Sequence, residues 1–115
     1  MSGASYEREI RTILRDEGWI VFRSAGSFDV DVIALRPDDH MLIEVKSTKA
    51  KVFRVGSSKR DREQFDVLNG YAQQGFNAFY YIRWKGVREN KWTRYKLPVK
   101  PYPIFRYHKN KEISK

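Results

Sequence analysis

Two charged residues lie in a segment that is otherwise apolar and strand-like. The stretch MLIEVKST, residues 41–48, carries Glu44 and Lys46 among aliphatic neighbours. Side chains two positions apart on a strand point to the same face, so an acid and a base share one face. Because a buried charge is costly unless it is paired or binds a metal, the pair indicates an ion pair or part of a site. The Glu-x-Lys spacing by itself is a weak signal, because strands often carry it as a solvated charged face.

The acid that completes such a site is expected on the preceding strand. Residues 29–35 are predicted to form that strand, and RPDDH, residues 36–40, is predicted to form a turn. Residues equidistant from a hairpin turn lie opposite each other, which places Asp31 across from Glu44 with Cβ atoms about 4.5–5.5 Å apart. Asp38, which follows a proline, belongs to the turn and lies about 20 Å from Glu44 along the strand.

Two carboxylates this close repel each other, so a positive group is expected between them. Lys46 is one candidate and a divalent cation is the other, because hard cations bind oxygen ligands. A bound Mg²⁺ polarises a phosphate oxygen and lowers the pKa of a water, and Lys46 would orient that water or offset charge on the phosphate. Glu7, on the rim of the first helix, is a further candidate ligand, and its alternative is a solvated surface position.

The composition excludes several other kinds of site and protein. The 115 residues include no cysteine and two histidines, so a disulfide framework or a thiolate or histidine-rich zinc site is not expected. Any metal would be held by oxygen, which favours Mg²⁺ or Mn²⁺. The sequence shows neither a signal peptide nor an apolar run long enough to span a membrane, and an intracellular location is the simplest interpretation.

The positive charge is concentrated near the C-terminus. Residues 1–82 contain 12 Lys or Arg and 12 Asp or Glu, whereas residues 83–115 contain 11 and two, so the net +9 lies in the last third. Such a distribution suggests a polyanionic partner, most plausibly nucleic acid, and the alternative is a solvated basic tail. The length predicts one domain over residues 1–115, with a basic, proline-containing C-terminal segment at 98–115.

The apolar periodicity predicts an α/β fold. A helix is expected over residues 4–17 and a second from a cap at Ser57 or Ser58 to about Gln74. Residues 49–57 are predicted to be a loop. Five strands are predicted, at residues 19–23, 29–35, 41–48, 77–84 and 92–97. The order αβββαββ favours a mixed five-stranded sheet flanked by helices, with the second helix as a parallel crossover.

The motifs resemble one nuclease family. Asp31, Glu44 and Lys46 are similar to the core of the PD-(D/E)xK nucleases, which share a restriction-endonuclease-like fold. More narrowly, residues 3–10 resemble the G-x-x-x-E-R-E opening of the archaeal-type Holliday junction resolvases (Hjc family). Residues 18–31 resemble that family's G-[FW]-x-[VA]-x-R-x-x-x-S-x-x-x-D, and its I-E-x-K follows. The superfamily's proline before the aspartate is replaced by Val30, and an apolar residue at this position is common in the resolvases.

The resemblance implies an active site and its metal. By this similarity Glu7, Asp31 and Glu44 would bind Mg²⁺, with Mn²⁺ as a plausible substitute. Lys46 would assist the attacking water, and Ser27 would lie close to the scissile phosphate. The family's activity is that of a Holliday junction resolvase, a crossover junction endodeoxyribonuclease. The similarity implies a homodimer that makes paired symmetric nicks in four-way DNA junctions during recombination and repair.

The cations expected to contact DNA fall in two groups. By resemblance, Arg8 and Arg23 would contact the DNA backbone. Several cations surround the loop after the strand that carries Glu44, where DNA contact and a plain solvated loop remain open alternatives: Lys49, Lys51, Arg54, Lys59 and Arg60. Two other functions also remain open, which are a restriction- or repair-type nuclease of the same superfamily and a DNA-binding protein without catalysis.

Overall fold

The computed structural model describes residues 3–24, 30–87, 91–109 and 113, apart from the side chains of residues 3–5. Within these ranges the helices are α1 (Gly3–Asp16) and α2 (Lys59–Gln73), and a 3₁₀ turn covers Val55–Ser57. The strands are β1 (Ile20–Arg23), β2 (Val32–Arg36), β3 (Asp39–Thr48), β4 (Val52–Arg54), β5 (Ala78–Trp84), β6 (Lys91–Lys96) and β7 (Ile104–Arg106).

A mixed five-stranded sheet forms the centre of the fold, in the order β1-β2-β3-β5-β6. Every neighbouring pair is antiparallel except β3 and β5, which run parallel and are joined through α2. A parallel connection needs a crossover of a dozen or more residues, which α2 provides. The predicted five-stranded sheet with flanking helices, in the order αβββαββ, is therefore confirmed for this sheet.

Helix α1 covers one face of the sheet through its apolar stripe. Ile10 and Leu14 are buried against the β-branched residues Val32 and Ile43, and each such side chain contributes about 1.5–3 kcal/mol on burial. The helix ends before Gly18, whose φ of 94° lies in the left-handed region that glycine adopts without steric cost. The predicted helix over residues 4–17 is confirmed within one residue at each end.

Helix α2 covers the opposite face. Its start is fixed by Ser58, whose Oγ accepts a hydrogen bond of 3.0 Å from the N–H of Asp61, as an N-cap serine does. Phe65 and Leu68 are fully buried on this helix and pack in the same cluster as Tyr80 of β5. The two faces of the sheet thus hold separate apolar clusters, and Glu44 is a buried acid on the central strand between them.

Two short elements depart from the predicted organisation. The predicted loop 49–57 contains β4 and the 3₁₀ turn, and the C-terminal segment contributes β7, which pairs antiparallel with β4 as a second, two-stranded sheet. Phe105 of β7 is buried and stacks on Tyr95 of β6 with ring centroids 4.6 Å apart. The described part of the basic segment is therefore folded onto the main sheet, and strands of three residues carry too little sequence pattern to be predicted alone.

Neither helix in the described ranges combines the length and apolar character needed to cross a membrane.

Candidate active site

Asp31 and Glu44 converge where the β2–β3 hairpin opens. The ladder pairs Arg36 with Asp39 at the turn and Val32 with Ile43 at the far end, so its register continued by one step sets Asp31 opposite Glu44. The Asp31 carboxylate accepts a hydrogen bond of 2.8 Å from the N–H of Val45 and lies close enough to the Glu44 carboxyl to raise its pKa. The structure thus places the two acids together as the hairpin register predicts.

The position of Asp31 at the strand end explains how it reaches the site. The predicted strand 29–35 begins only at Val32 in the structure, and Asp29 lies outside the described residues. Asp31 still donates its own N–H to the Ile43 carbonyl at 3.1 Å, while its side chain takes the Val45 N–H that a strand partner would otherwise accept. The position of the Asp31 carboxylate is therefore set by a backbone N–H and by the hydrogen bonding of its own backbone to β3.

Glu44 is buried in a way that disfavours its charge. The residue is 2% exposed, and burial, followed by the charge of Asp31, raises its pKa from 4.5 to about 8, although Lys46 opposes the rise. Near neutral pH Glu44 therefore tends to keep its proton rather than place a second negative charge beside Asp31. Ligands must be deprotonated to bind a cation, so a divalent ion at these oxygens would replace that proton.

Glu7 lies near this pair without joining it. Its Oε1 is 3.3 Å from Nε of Arg23, and this oxygen is buried without a hydrogen bond among the described residues. Burial, and then the charge of Asp31, raises the pKa of Glu7 above its usual range. Within the described ranges no three acidic or histidine side chains lie close enough together to form a metal site, so the structure unites two of the three predicted ligands.

Lys46 is held from three sides. Its Nζ lies 3.4 Å from Oε2 of Glu44 and 3.2 Å from Oδ1 of Asp61, and it donates a hydrogen bond of 2.6 Å to Oε1 of Gln64. Neither Asp61 nor Gln64 was predicted from the sequence. Asp61 and Gln64 stand seven and four residues before Leu68, so they lie on the same face of α2 as this buried residue. Polar residues at the spacing of a buried helix face are the sequence signal that could have identified them.

The remaining predicted residues are accessible or undescribed. Ser27 lies outside the described residues. Arg8 and Arg23 are exposed, and the Arg23 side chain is ion-paired with Glu7. The cations of the loop after β3 and of the start of α2 are all exposed: Lys49, Lys51, Arg54, Lys59 and Arg60. The structure therefore leaves these side chains available to a polyanion, and their DNA-binding role stays a prediction.

The donor set suits a hard divalent cation. Two neighbouring carboxyls, one of them nearly inaccessible to solvent, supply oxygen ligands, and Mg²⁺ is commonly bound through one or two carboxylates and substrate phosphates. The Lys46 ammonium lies 3.4 Å from Oε2 of Glu44, and a cation there is able to orient a water or offset charge on a phosphate. This combination of groups fits metal-assisted phosphodiester hydrolysis.

Comparisons with known proteins place this arrangement in context. A family model described as archaeal Holliday junction resolvase (Hjc) matches residues 1–111. The crossover junction endodeoxyribonuclease Hjc of Methanocaldococcus jannaschii is 40% identical over 62 residues, which cover 54% of this chain and 45% of that relative. The matched segment thus spans less than half the length of that curated relative.

A solved structure resembles the fold. The Holliday junction resolvase Hjc of Archaeoglobus fulgidus, from an archaeal hyperthermophile, matches with a TM-score of 0.63 and 22% sequence identity. The match covers 82% of this chain and 71% of that one. At this identity the similarity supports the α/β fold, which is compatible with the restriction-endonuclease-like fold expected from the sequence.

Proposed function

This chain belongs to the archaeal Holliday junction resolvase family, and we propose that it is a divalent-metal-dependent endonuclease that cleaves four-way DNA junctions. The observation that carries the proposal is the convergence of Asp31 and Glu44 beside Lys46 at the open end of the hairpin. The family match over residues 1–111 supports the substrate. The exposed cations of the loop after β3 and of the start of α2 support a polyanionic ligand.

The proposal gives five side chains a role in the chemistry. Asp31 and Glu44 would hold Mg²⁺ or Mn²⁺, which when bound supplies Lewis-acid activation of the phosphate and of a water. Asp31 is kept in place by the Val45 N–H, and Glu44 enters the reaction as a carboxylate after giving up its proton. Lys46 orients the water and offsets negative charge that develops on the phosphate. Glu7 would act as a third, outer acid, and Ser27 would approach the scissile phosphate.

Resolution of a junction requires two cuts of the same kind. A four-way junction presents two equivalent strands related by a two-fold axis, and a symmetric homodimer carries two equivalent sites. We therefore propose a homodimer that makes paired symmetric nicks, as part of DNA recombination and repair. The same chemistry in a restriction- or repair-type nuclease would cleave duplex DNA. A non-catalytic DNA-binding protein would cleave neither the junction nor the duplex.

A substrate panel tests the proposed function. Four-way junction, flap and intact duplex of matched sequence are incubated with the protein and Mg²⁺, and the products are mapped on sequencing gels. Paired nicks confined to the junction strands are expected. Equal cleavage of the intact duplex would identify a different nuclease of the superfamily, and binding without cleavage in both Mg²⁺ and Mn²⁺ would remove the enzymatic proposal.

The basic C-terminal segment extends this proposal to a second surface. A cleft of about 590 Å³ lies between β6 and β7, and its described lining includes Arg94, Lys96, Arg106 and His108 but no acid. The ladder aligns Glu44 with Tyr80 and Tyr80 with a residue of β6, so β6 lies about 10 Å from β3 at the usual strand spacing. About three phosphates of one DNA strand span that distance, so one strand is long enough to reach from the site to the cleft.

Neutralising this cleft should weaken the salt dependence of junction binding. Removing residues 98–115 is unsuitable as a test, because Phe105 belongs to the core. We expect Lys96→Gln and Arg106→Gln each to reduce the slope of log Kd against log salt concentration by about one, as loss of one phosphate contact does. Arg15→Gln, on the last turn of α1, is the matched control. Slopes equal to that of the native protein would show that the cleft does not contact the DNA phosphates.

A further inference from the structure

The ammonium group of Lys46 contacts groups from two different elements. Glu44 lies two positions away on the same strand, whereas Asp61 and Gln64 come from the first turns of α2. The two α2 contacts are the shorter ones, at 3.2 and 2.6 Å against 3.4 Å for Glu44. The helix therefore contributes more of the hydrogen bonding to Lys46 than the strand that carries it.

Asp61 and Gln64 differ from Glu44 in that they have no second proposed role in the site. Glu44 is also a proposed metal ligand, so its oxygens have a second partner during the reaction. Asp61 and Gln64 have no such role in the proposed site and remain available to the ammonium. The Lys46 and Asp61 side chains are 18% and 23% exposed, so the pair is much less solvated than the surface ion pair of Lys59 and Glu63.

The fold fixes Asp61 and Gln64 independently of Lys46. The N–H of Asp61 is held by the N-cap hydroxyl of Ser58, which sets the first turn of the helix. Gln64 is followed directly by Phe65, which is fully buried and anchors the same turn in the core. A helix face that is packed in this way and carries two acceptors can hold a long, flexible lysine side chain in one position.

We propose that Asp61 and Gln64 are positioning residues that hold the Lys46 ammonium beside the two catalytic carboxyls whether or not Glu44 is engaged elsewhere. The inference rests on the proposed function for the meaning of that position. Without Asp61, the ammonium keeps Glu44 as its one acidic contact and is drawn onto the carboxylate that the metal needs. The loss then falls on the chemical step rather than on DNA binding.

The test compares charge-matched variants on the same helix. Asp61→Asn removes the counterion with little change of shape, and Glu63→Gln removes an equal charge from an exposed neighbour whose side chain is 65% accessible. The double variant Asp61→Asn/Gln64→Glu returns the charge to a position 2.6 Å from the ammonium. Single-turnover junction cleavage in Mg²⁺, junction Kd in EDTA and thermal unfolding are measured for each.

We expect Asp61→Asn to slow cleavage by about 10- to 100-fold, the usual consequence of a misplaced catalytic group, with Kd unchanged within about twofold. Glu63→Gln should cleave at the native rate, and the double variant should recover most of the lost rate. Native-like cleavage by Asp61→Asn would overturn the proposal. Equal slowing of the single and double variants, together with a lowered unfolding temperature, would also overturn it by assigning Asp61 a role in helix stability alone.

A second readout separates this inference from the proposed nuclease activity. Limited acetylation in EDTA, quantified by mass spectrometry, reports the accessibility of each lysine amine, with the exposed Lys51 as an internal reference. Lys46 should react slowly in the native protein and in Glu63→Gln, and several-fold faster in Asp61→Asn. If the native chain cut no junction, this pattern would still support the positioning contact, whereas equal reactivity in all variants would refute it.

Discussion

Glu44→Gln is expected to stabilise the metal-free protein at alkaline pH while abolishing junction cleavage. Burial and the charge of Asp31 raise the pKa of Glu44 from 4.5 to about 8, so the folded state favours the protonated carboxyl. The stabilisation from this proton is fully present below about pH 4.5 and is lost as the pH rises through about 8. The interval corresponds to at most roughly 5 kcal/mol.

Urea unfolding in EDTA at about pH 5 and about pH 9 measures this effect. The native protein should lose several kcal/mol of unfolding free energy between the two conditions, whereas Glu44→Gln, which stays neutral, should lose much less. Glu63→Gln serves as the control because that side chain is exposed and should follow the native protein. Parallel losses in the native protein and Glu44→Gln would show that Glu44 is not the group whose burial penalises alkaline pH.

Divalent metal should reverse the alkaline loss only where Glu44 is present. A ligand that binds the folded state alone raises its stability, and a metal favours the deprotonated carboxylate. Mg²⁺ at about pH 9 should therefore raise the unfolding free energy of the native protein and leave Glu44→Gln nearly unchanged. Cleavage by the variant should fall by at least about a hundredfold, since changes to groups that merely orient a metal ligand already cost 10- to 100-fold.

The sequence predicts the acidic pair because the hairpin leaves little freedom. A two-residue turn centred on Pro37 and Asp38 determines which positions face each other, and the structure keeps that register to Val32 and Ile43. The same argument separates Asp31 from the more conspicuous Pro37-Asp38. Such a local rule needs no knowledge of how helices pack, which is why it could be applied to sequence alone.

The parts that could not be predicted depend on contacts distant in the chain. The pairing of Asp61 with Lys46 requires the depth at which α2 lies on the sheet, and spacing within the helix does not give that depth. The position of Glu7 against Arg23, rather than within the acidic pair, depends on the angle between α1 and β1. Strands β4 and β7 are stabilised by pairing with each other and by Phe105 against the core, a tertiary effect that local propensity does not encode.

Asp31→Asn is expected to remove catalysis with little change in the fold. The asparagine amide oxygen can still accept the Val45 N–H that Asp31 accepts at 2.8 Å, so the end of the hairpin should keep its geometry. The amide is neutral and is a weak ligand for a hard cation, and its loss of charge also removes a like-charge repulsion from Glu44. The unfolding temperature should therefore be native or higher, whereas cleavage should fall by about a hundredfold or more.

Junction cleavage in Mg²⁺ by the native protein and by Asp31→Asn, at equal junction occupancy established by gel shift in EDTA, tests the proposed site most directly. The native protein should produce paired nicks at the junction, and the variant should bind with a Kd within about twofold of native and cut at least about a hundredfold more slowly. Equal cleavage by the two proteins at equal occupancy would contradict the assignment of Asp31 and Glu44 as the catalytic pair.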